Sequence, residues 1–368
     1  MHHPYEQRVA RLREKLTDGP YDTLMVLVEE NRRYLSGFTG EDTQFDETAG
    51  CLFVTPDRLL IATDSRYTTQ AVTEAPQCEV YTYRHGLAKA LAGICSQLDI
   101  REVGFEAVRV SVREYDRMVE ELEKAGSDVT LYRSHGLVEG LREIKDEAEV
   151  EAVQRSLALV EGVFRSVLDG VEPGMREKDV AWNLERAMRE AGAERLSFPC
   201  IVAAGTNAAK PHAIPGEDRV TEGKPLLFDW GAVLEGYCSD ISRTVCIGQP
   251  DDMYKEVRDT VLEAQQKAMA AAGPGMPANL VDKIARDVIN KAGFEGRFGH
   301  GLGHGVGLAV HEAPSVGPTR DTKLEPGMIF TVEPGVYLPE WGGVRIENMV
   351  VVRENGVEVL NSLPENMD

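Results

Sequence analysis

The sequence predicts a two-domain α/β (α+β) protein, and three observations predict it. The first ~130 residues alternate short apolar runs with amphipathic stretches, the texture of an α/β domain. The pattern breaks around Tyr132–Gly140, and the rest of the chain carries two landmarks that recur 101 residues apart. A length of 368 residues agrees with about two domains. The expected domains are 1–133 and 134–368.

Taken in order, the opening MHHPYEQRVARLREKL spaces its apolar residues for a helix over Tyr5–Leu16. TLMVLVE, GCLFVT and RLLIAT are short, apolar and rich in β-branched residues, so they predict strands, and Val112–Glu123 returns to helical spacing. The run Glu143–Val171, rich in Glu, Ala, Leu and Val, predicts a long helix closing on Val171-Glu172-Pro173-Gly174-Met175. A second helix ends at Ala191-Gly192. A further long helix precedes Gly273-Pro274-Gly275-Met276, and the next ends at Ala292-Gly293. Pro173 and Pro274, like Gly192 and Gly293, stand 101 residues apart. Pro and Gly are ordinary helix punctuation, but two matches at one offset predict two pseudo-equivalent halves with a site between them.

Each half continues into a hairpin carrying two acids. In KPLLFDWGAVLEGYCSDISRTV, a two-residue turn at Leu234-Glu235 sets Asp229 directly opposite Asp240. In MIFTVEPGVYLPEWGGVRIENMVVV, a turn centred on Glu340 sets Glu333 opposite Glu347. Neighbouring carboxylates between apolar strands repel each other and lose solvation, so something positive must compensate them. Divalent cations that take oxygen ligands are the economical answer. GHGLGHGVGLAVHE adds His300, His304 and His311, three of the eight histidines within twelve residues, among glycines that permit close backbone approach. Beside two acid pairs, this concentration points to a metal ligand together with proton-handling or oxyanion-stabilising groups. His212 lies in the loop-like AAGTNAAKPHAIP, between Pro211 and Pro215.

Composition narrows the partners. Forty Lys and Arg against sixty-one Asp and Glu give a net charge of −21, which argues against a nucleic-acid surface. At 42% hydrophobic and 27% charged residues the chain is expected to be globular. No stretch approaches the ~20 apolar residues of a membrane span, and the start lacks the form of a signal peptide, so the expected location is cytoplasmic. Cys51, Cys78, Cys95, Cys200, Cys238 and Cys246 contain no CxxC pair and read as free thiols.

These residues resemble the pita-bread metallopeptidases, which include aminopeptidase P, prolidase and methionine aminopeptidase, with creatinase as a metal-free relative. The resemblance covers nearly the whole chain, since NRRYLSGFTG and the region through ATDSRYTTQA are similar to the creatinase-type N-terminal domain. It implies a pita-bread C-terminal domain whose five ligands to two divalent ions fall on Asp229, Asp240, His304, Glu333 and Glu347, inside FDWG, SDISRT, GHGVGL, VEPG and RIE. All five residue types are intact, which argues against creatinase-like metal-free chemistry. By the resemblance, Asp240 and Glu347 bridge the ions, Asp229 binds one, and His304 and Glu333 the other. Two such ions activate water, polarise the scissile carbonyl and clamp the tetrahedral state. Glu333 would also relay a proton to the leaving nitrogen, and His212 and His311 correspond to the pair that contacts substrate. His300, Tyr337 and Arg345 correspond to positions that hydrogen-bond around the site, with Arg345 a partner of the acids. The oxygen-rich set suits manganese or cobalt first, with zinc or iron as further choices.

The expected reaction is release of the N-terminal residue from peptides with proline second, an Xaa-Pro aminopeptidase, with Xaa-Pro dipeptidase as the alternative. Prolidases resembling this chain place an arginine four residues after the histidine corresponding to His311, to receive the dipeptide carboxylate, and here that position is Ser315. Arg320 is a cation that could substitute for it. A scaffold that keeps the fold without turnover and a creatinase-like C–N hydrolase are the readings of other classes. The family also implies a homodimer in which the N-terminal domain shapes access, although Phe38, Arg66 and Tyr67 are expected to pack or solvate their own domain.

Overall fold

The structure is a computed structural model describing residues 4–42, 44 and 47–367. It divides between Arg142 and Glu143. Residues 134–142 thus go with the first unit rather than the second, because Asn31 Nδ2 donates to Glu139 Oε1 (3.0 Å) and Arg142 Nη1 donates to Asn31 Oδ1 (2.7 Å).

The first unit holds helices α1 (Pro4–Leu16), α2 (Glu29–Ser36), α3 (Thr68–Glu74), α4 (Leu87–Leu98), α5 (Val112–Lys124) and α6 (Glu139–Arg142). Its strands are β1 (Thr23–Val26), β2 (Cys51–Val54), β3 (Leu59–Asp64), β4 (Glu79–Tyr83), β5 (Glu102–Glu106) and β6 (Thr130–Ser134). They form one sheet in the order β4-β3-β2-β1-β5-β6. Every residue of β1 and β2 is buried, which is why those strands are continuous apolar runs instead of alternating ones. At the end of β5, Glu106 accepts the backbone N–H groups of Leu27 and Val28 (2.7 and 2.6 Å), where the chain turns into α2. Burial lifts its carboxyl to about 7. Phe38 is buried in this unit, and the exposed Arg66 pairs with Asp64 at 2.9 Å.

The second unit begins with Ile144 bridged to Met328 and with the Lys145 N–H bonded to Gly327 O, so the first four residues of the predicted helix lie outside it. Helix α7 (Glu147–Leu168) starts at a capping box between Asp146 and Glu149. Its buried stripe, Val153, Leu157, Val160 and Phe164, has helical spacing, and Phe164 stacks on Trp230 with centroids 4.0 Å apart. Trp230 Nε1 donates to Val160 O at 3.1 Å, so the largest core residue leaves no polar atom unpaired.

There follow α8 (Glu177–Glu190), β7 (Arg195–Leu196), β8 (Ile201–Ala204), β9 (Pro225–Trp230), β10 (Ala232–Leu234), β11 (Tyr237–Cys238) and β12 (Ile241–Cys246). The second half holds α9 (Asp252–Ala271), α10 (Ala278–Ile289), β13 (Gly303–Gly305), β14 (Glu312–Val316), β15 (Ile329–Val332), β16 (Gly335–Leu338), β17 (Gly342–Arg345), β18 (Asn348–Arg353) and β19 (Gly356–Val359). Two antiparallel sheets, β12-β9-β8 and β14-β13-β15-β18-β19, carry the hairpins.

The 101-residue repeat is structural. Gly174 N–H donates to Val220 O (2.8 Å) and Val220 N–H to Met175 O (2.9 Å). Gly275 N–H and Leu324 N–H make the same two bonds to Leu324 O and Met276 O, at 2.8 and 2.9 Å. Gly192 and Gly293 both take left-handed φ values, 104° and 94°, which glycine adopts without steric cost at a helix end. Among the described residues no helix is long and apolar enough to cross a membrane, and all six cysteines are free.

Candidate active site

The first acid hairpin differs from expectation by one turn residue. Its turn is Glu235-Gly236, with φ values of 53° and 85°, and not Leu234-Glu235, because the tight turn needs two left-handed residues and Gly236 is the one that adopts this without strain. Moving the turn by one residue moves the register by two. Asp229 therefore faces Ser242, and Asp240 is its diagonal neighbour on the same face and not the residue directly opposite. The second hairpin has the expected register, with Gly335 opposite Arg345 and, beyond the acids, Val332 opposite Asn348. Between these pairs the strands diverge: Glu333 N–H donates to Leu302 O (2.9 Å) and Glu347 N–H to Ser242 O (3.1 Å). The gap is held by Gln265 of α9, whose Nε2 donates to the carbonyls just before each acid, Val332 O (2.9 Å) and Ile346 O (3.0 Å).

These backbones bring the acids to one cavity of about 450 Å³ lined by Asp229, Asp240, Glu333, His300, His304, His311, His212 and Arg345. Glu347 is buried beside it, and Asp240, His304 and Glu347 each offer a ligand atom within 4.8 Å of the others. His304 Nε2 lies 3.5 Å from Asp240 Oδ2 and 3.4 Å from Glu333 Oε1. His304 Nδ1 donates to Gly305 O at 3.2 Å, and burial lowers the ring's pKa, so we assign the neutral tautomer with a bare Nε2 lone pair aimed at two carboxylates. Burial and mutual repulsion raise the Asp240 and Glu347 carboxyls well above the usual range, and burial raises Glu333 to about 7.

Asp229 Oδ1 and Glu347 Oε1 are buried without a hydrogen-bond partner. A lone pair facing carboxylates, together with two orphaned carboxylate oxygens, fits cations and little else. The residues present thus fit a divalent-metal centre.

Around them Arg345 is the organiser. It donates from Nη2 to Asp229 Oδ2 (2.6 Å), from Nε to Ser242 Oγ (2.8 Å), and from Nη1 to Tyr337 Oη (3.0 Å) and Pro211 O (3.1 Å). Ser242 Oγ in turn donates a hydrogen bond to Glu347 Oε2 at 2.7 Å. His300 Nδ1 donates to Gly301 O (2.8 Å), which leaves Nε2 to accept from Tyr337 Oη (2.8 Å); burial lowers its pKa to about 4 and keeps it neutral. His311 stands edge-on to His304, with centroids 4.2 Å apart, and His212 lines the cavity on the loop after β8. Every sequence-predicted site residue is therefore in one place. Ser242 and Thr331 escaped sequence reading, although their signal was there: each lies on a strand two residues from an acid that flanks that strand's end, a spacing that keeps the pair on one face. Thr331 Oγ1 accepts the His304 N–H (3.1 Å) and donates to Glu333 Oε1 (3.0 Å).

A hairpin-borne carboxylate cluster with a neutral histidine, between two pseudo-equivalent halves, defines a metal-dependent hydrolase, and the chain belongs to metallopeptidase family M24, whose profile matches residues 151–354. The profile of the creatinase/prolidase N-terminal domain matches residues 8–144. The chain is similar to the Xaa-Pro dipeptidase of Pyrococcus furiosus, 37% identical over 243 residues, which are 66% of this chain and 70% of that one. Among solved structures it is similar to the Xaa-Pro dipeptidase from Bacillus anthracis, with a TM-score of 0.91, 36% identity and 99% of both chains covered. It is likewise similar to the X-Pro aminopeptidase from Thermotoga maritima MSB8, with a TM-score of 0.87, 36% identity and 98% and 99% covered.

Proposed function

We propose that this enzyme hydrolyses the bond before proline at the N-terminus of short peptides, and that its main product class is that of an Xaa-Pro dipeptidase. The observation that carries the hydrolytic part is the cavity in which Asp229, Asp240 and Glu333 gather around the bare Nε2 of His304, with Glu347 buried beside it and two carboxylate oxygens lacking a hydrogen-bond partner. Asp229, Asp240, His304, Glu333 and Glu347 would hold two divalent ions, and manganese or cobalt suits so oxygen-rich a set. Such ions, when bound, supply an activated water and a Lewis acid for the scissile carbonyl. Glu333, anchored by Thr331 Oγ1, takes the proton of the attacking water and returns it to the leaving nitrogen. His212 and His311 donate to the carbonyl oxygen as it gains charge. Arg345 stays with Asp229 and fixes it, and Tyr337 and His300 hold Arg345 in turn.

The dipeptidase reading is supported by the names of two relatives, the Xaa-Pro dipeptidases of Pyrococcus furiosus and Bacillus anthracis. The aminopeptidase reading has a specific observation behind it too. Arg345 is the one lysine or arginine lining the described cavity, it is committed to Asp229, and Ser315 stands where a carboxylate-binding arginine is expected. The deciding experiment strips the protein of metal, restores manganese, cobalt or zinc, and compares Xaa-Pro with Xaa-Pro-Yaa peptides, with Asp240→Ala as control. Metal-dependent cleavage preferring the dipeptide supports the proposal, and preference for the longer peptide makes the enzyme an aminopeptidase. Silence with every metal overturns the peptidase reading.

A further inference from the structure

Glu177, the first residue of α8, lies outside the cavity and belongs to no ligand set, yet its side chain is wholly buried. Its carboxylate takes four hydrogen bonds. Oε1 accepts from Ala204 N–H (2.7 Å) and Asn207 Nδ2 (3.0 Å), and Oε2 from Asn207 Nδ2 (2.9 Å) and Gly216 N–H (2.9 Å). No lysine or arginine among the described residues reaches it. A buried carboxylate held by neutral donors alone is costly, and all of these donors lie on one segment, 204–216. That segment leaves β8, makes a short 3₁₀ turn, places His212 at the cavity and returns at Gly216. One side chain therefore fastens both ends of the loop.

Its middle is tied separately. Pro211 O accepts from Arg345 Nη1 (3.1 Å), and Lys210 Nζ donates to Asn207 Oδ1 (2.9 Å). The loop is thus a span with two fixed feet and one brace to the guanidinium that holds Asp229. The second half of the repeat has a related arrangement, with a charged partner and one backbone contact. Asp282 of α10 is buried, accepts Leu302 N–H (3.0 Å) and pairs with Arg286, which donates to His300 O (2.8 Å). In each half an acid on the second helix holds the segment that carries a histidine.

We propose that Glu177 is a positioning residue for hydrolysis: it clamps both feet of the 204–216 loop and so fixes His212 against the scissile carbonyl. This rests on the peptidase reading above. Glu177→Gln keeps the volume but replaces one acceptor with an N–H₂ group, which cannot face an N–H donor, so one foot is released.

The test measures manganese-loaded wild type, Glu177→Gln, His212→Ala and the double variant on an Xaa-Pro substrate, with manganese titration and amide exchange of the metal-free proteins. We expect Glu177→Gln to lower kcat by roughly 10- to 100-fold, the scale of a misplaced catalytic group. Manganese affinity should change less than about 2-fold, and amide protection should fall at Ala204 and Gly216 but not along β9 or β12. In the His212→Ala background the same substitution should lower kcat by less than about 3-fold, since residues acting as one unit are not additive. Equal fold losses in both backgrounds, or unchanged exchange at the two feet, overturn the proposal. If Glu177→Gln does not fold, Asn207→Ala removes the shared donor and should give a smaller loss with the same non-additivity. A wild type that cleaves no proline peptide fails the peptidase reading itself and with it the link to catalysis, while the exchange data still decide whether Glu177 holds the loop.

Discussion

Ser242 shows how much a single hydroxyl decides here. It accepts from Arg345 and donates to Glu347, so one atom joins the cation that balances Asp229 to an acid of the opposite hairpin. Hydrogen bonds of this kind are directional and lose their value when a partner moves by an ångström. Ser315 matters for what it lacks. It is the cross-strand partner of His304, so a cation placed there stands at the mouth of the site. Ser315→Arg is expected to raise the kcat/KM ratio of Xaa-Pro over Xaa-Pro-Yaa by about tenfold, the worth of one charge-assisted hydrogen bond to a free carboxylate. Steady-state kinetics on matched peptides checks it, and an unchanged ratio would mean that the dipeptide carboxylate binds elsewhere.

At the scale of elements, the glycines of β13 are a packing requirement. A Cβ on Gly303 would stand 1.9 Å from Thr331 O, a backbone atom that cannot turn aside. The N–H of the neighbouring His304 donates to Thr331 Oγ1, so displacing β13 from β15 displaces a proposed metal ligand. Gly303→Ala should therefore cost about 1–3 kcal/mol of stability, the usual price of overpacking, and weaken manganese binding at least about tenfold. Denaturant unfolding and metal titration of the purified variant measure the two effects. An alanine that leaves both intact would show that β13 moves freely. The two hairpins illustrate a related point, since each register follows from its turn, and shifting one turn by one residue turned a direct Asp229–Asp240 pairing into a diagonal one.

For the molecule as a whole, the acid cluster couples stability to metal and to pH. In the metal-free protein the carboxyls of Asp240, Glu333 and Glu347 are raised, Glu333 to about 7, so the folded state holds protons that the unfolded chain has lost. A raised acid contributes stability that is present at low pH and is lost as pH climbs through its folded value. Chelated protein should thus become less stable as pH climbs from the ordinary carboxylate range through about 7. Metal binding must expel those protons, so affinity should rise over the same interval. Saturation at a hundred times Kd adds about 2.7 kcal/mol. Melting curves of chelated and manganese-loaded protein should therefore diverge as pH rises, and curves that stay parallel would contradict this coupling.

Much of this was legible in the sequence because it is local. Helix spacing, apolar strands, the Pro and Gly landmarks of the repeat and the order of acids and histidines all depend on neighbours within a turn or a hairpin. Those signals placed α1, α5 and the first three strands, and they singled out eight acids and histidines that the fold brings together around one cavity, while Tyr337 and Arg345 came from the family resemblance. What the tertiary structure decided is the set of contacts between distant segments. Arg345 reaches Asp229 across 116 positions, Gln265 spans the two strands before Glu333 and Glu347, and Glu177 fastens both ends of the His212 loop. Such contacts have no period or spacing to betray them. They exist because packed helices and sheets hold donors and acceptors at fixed distances, and only the folded chain brings those partners within reach.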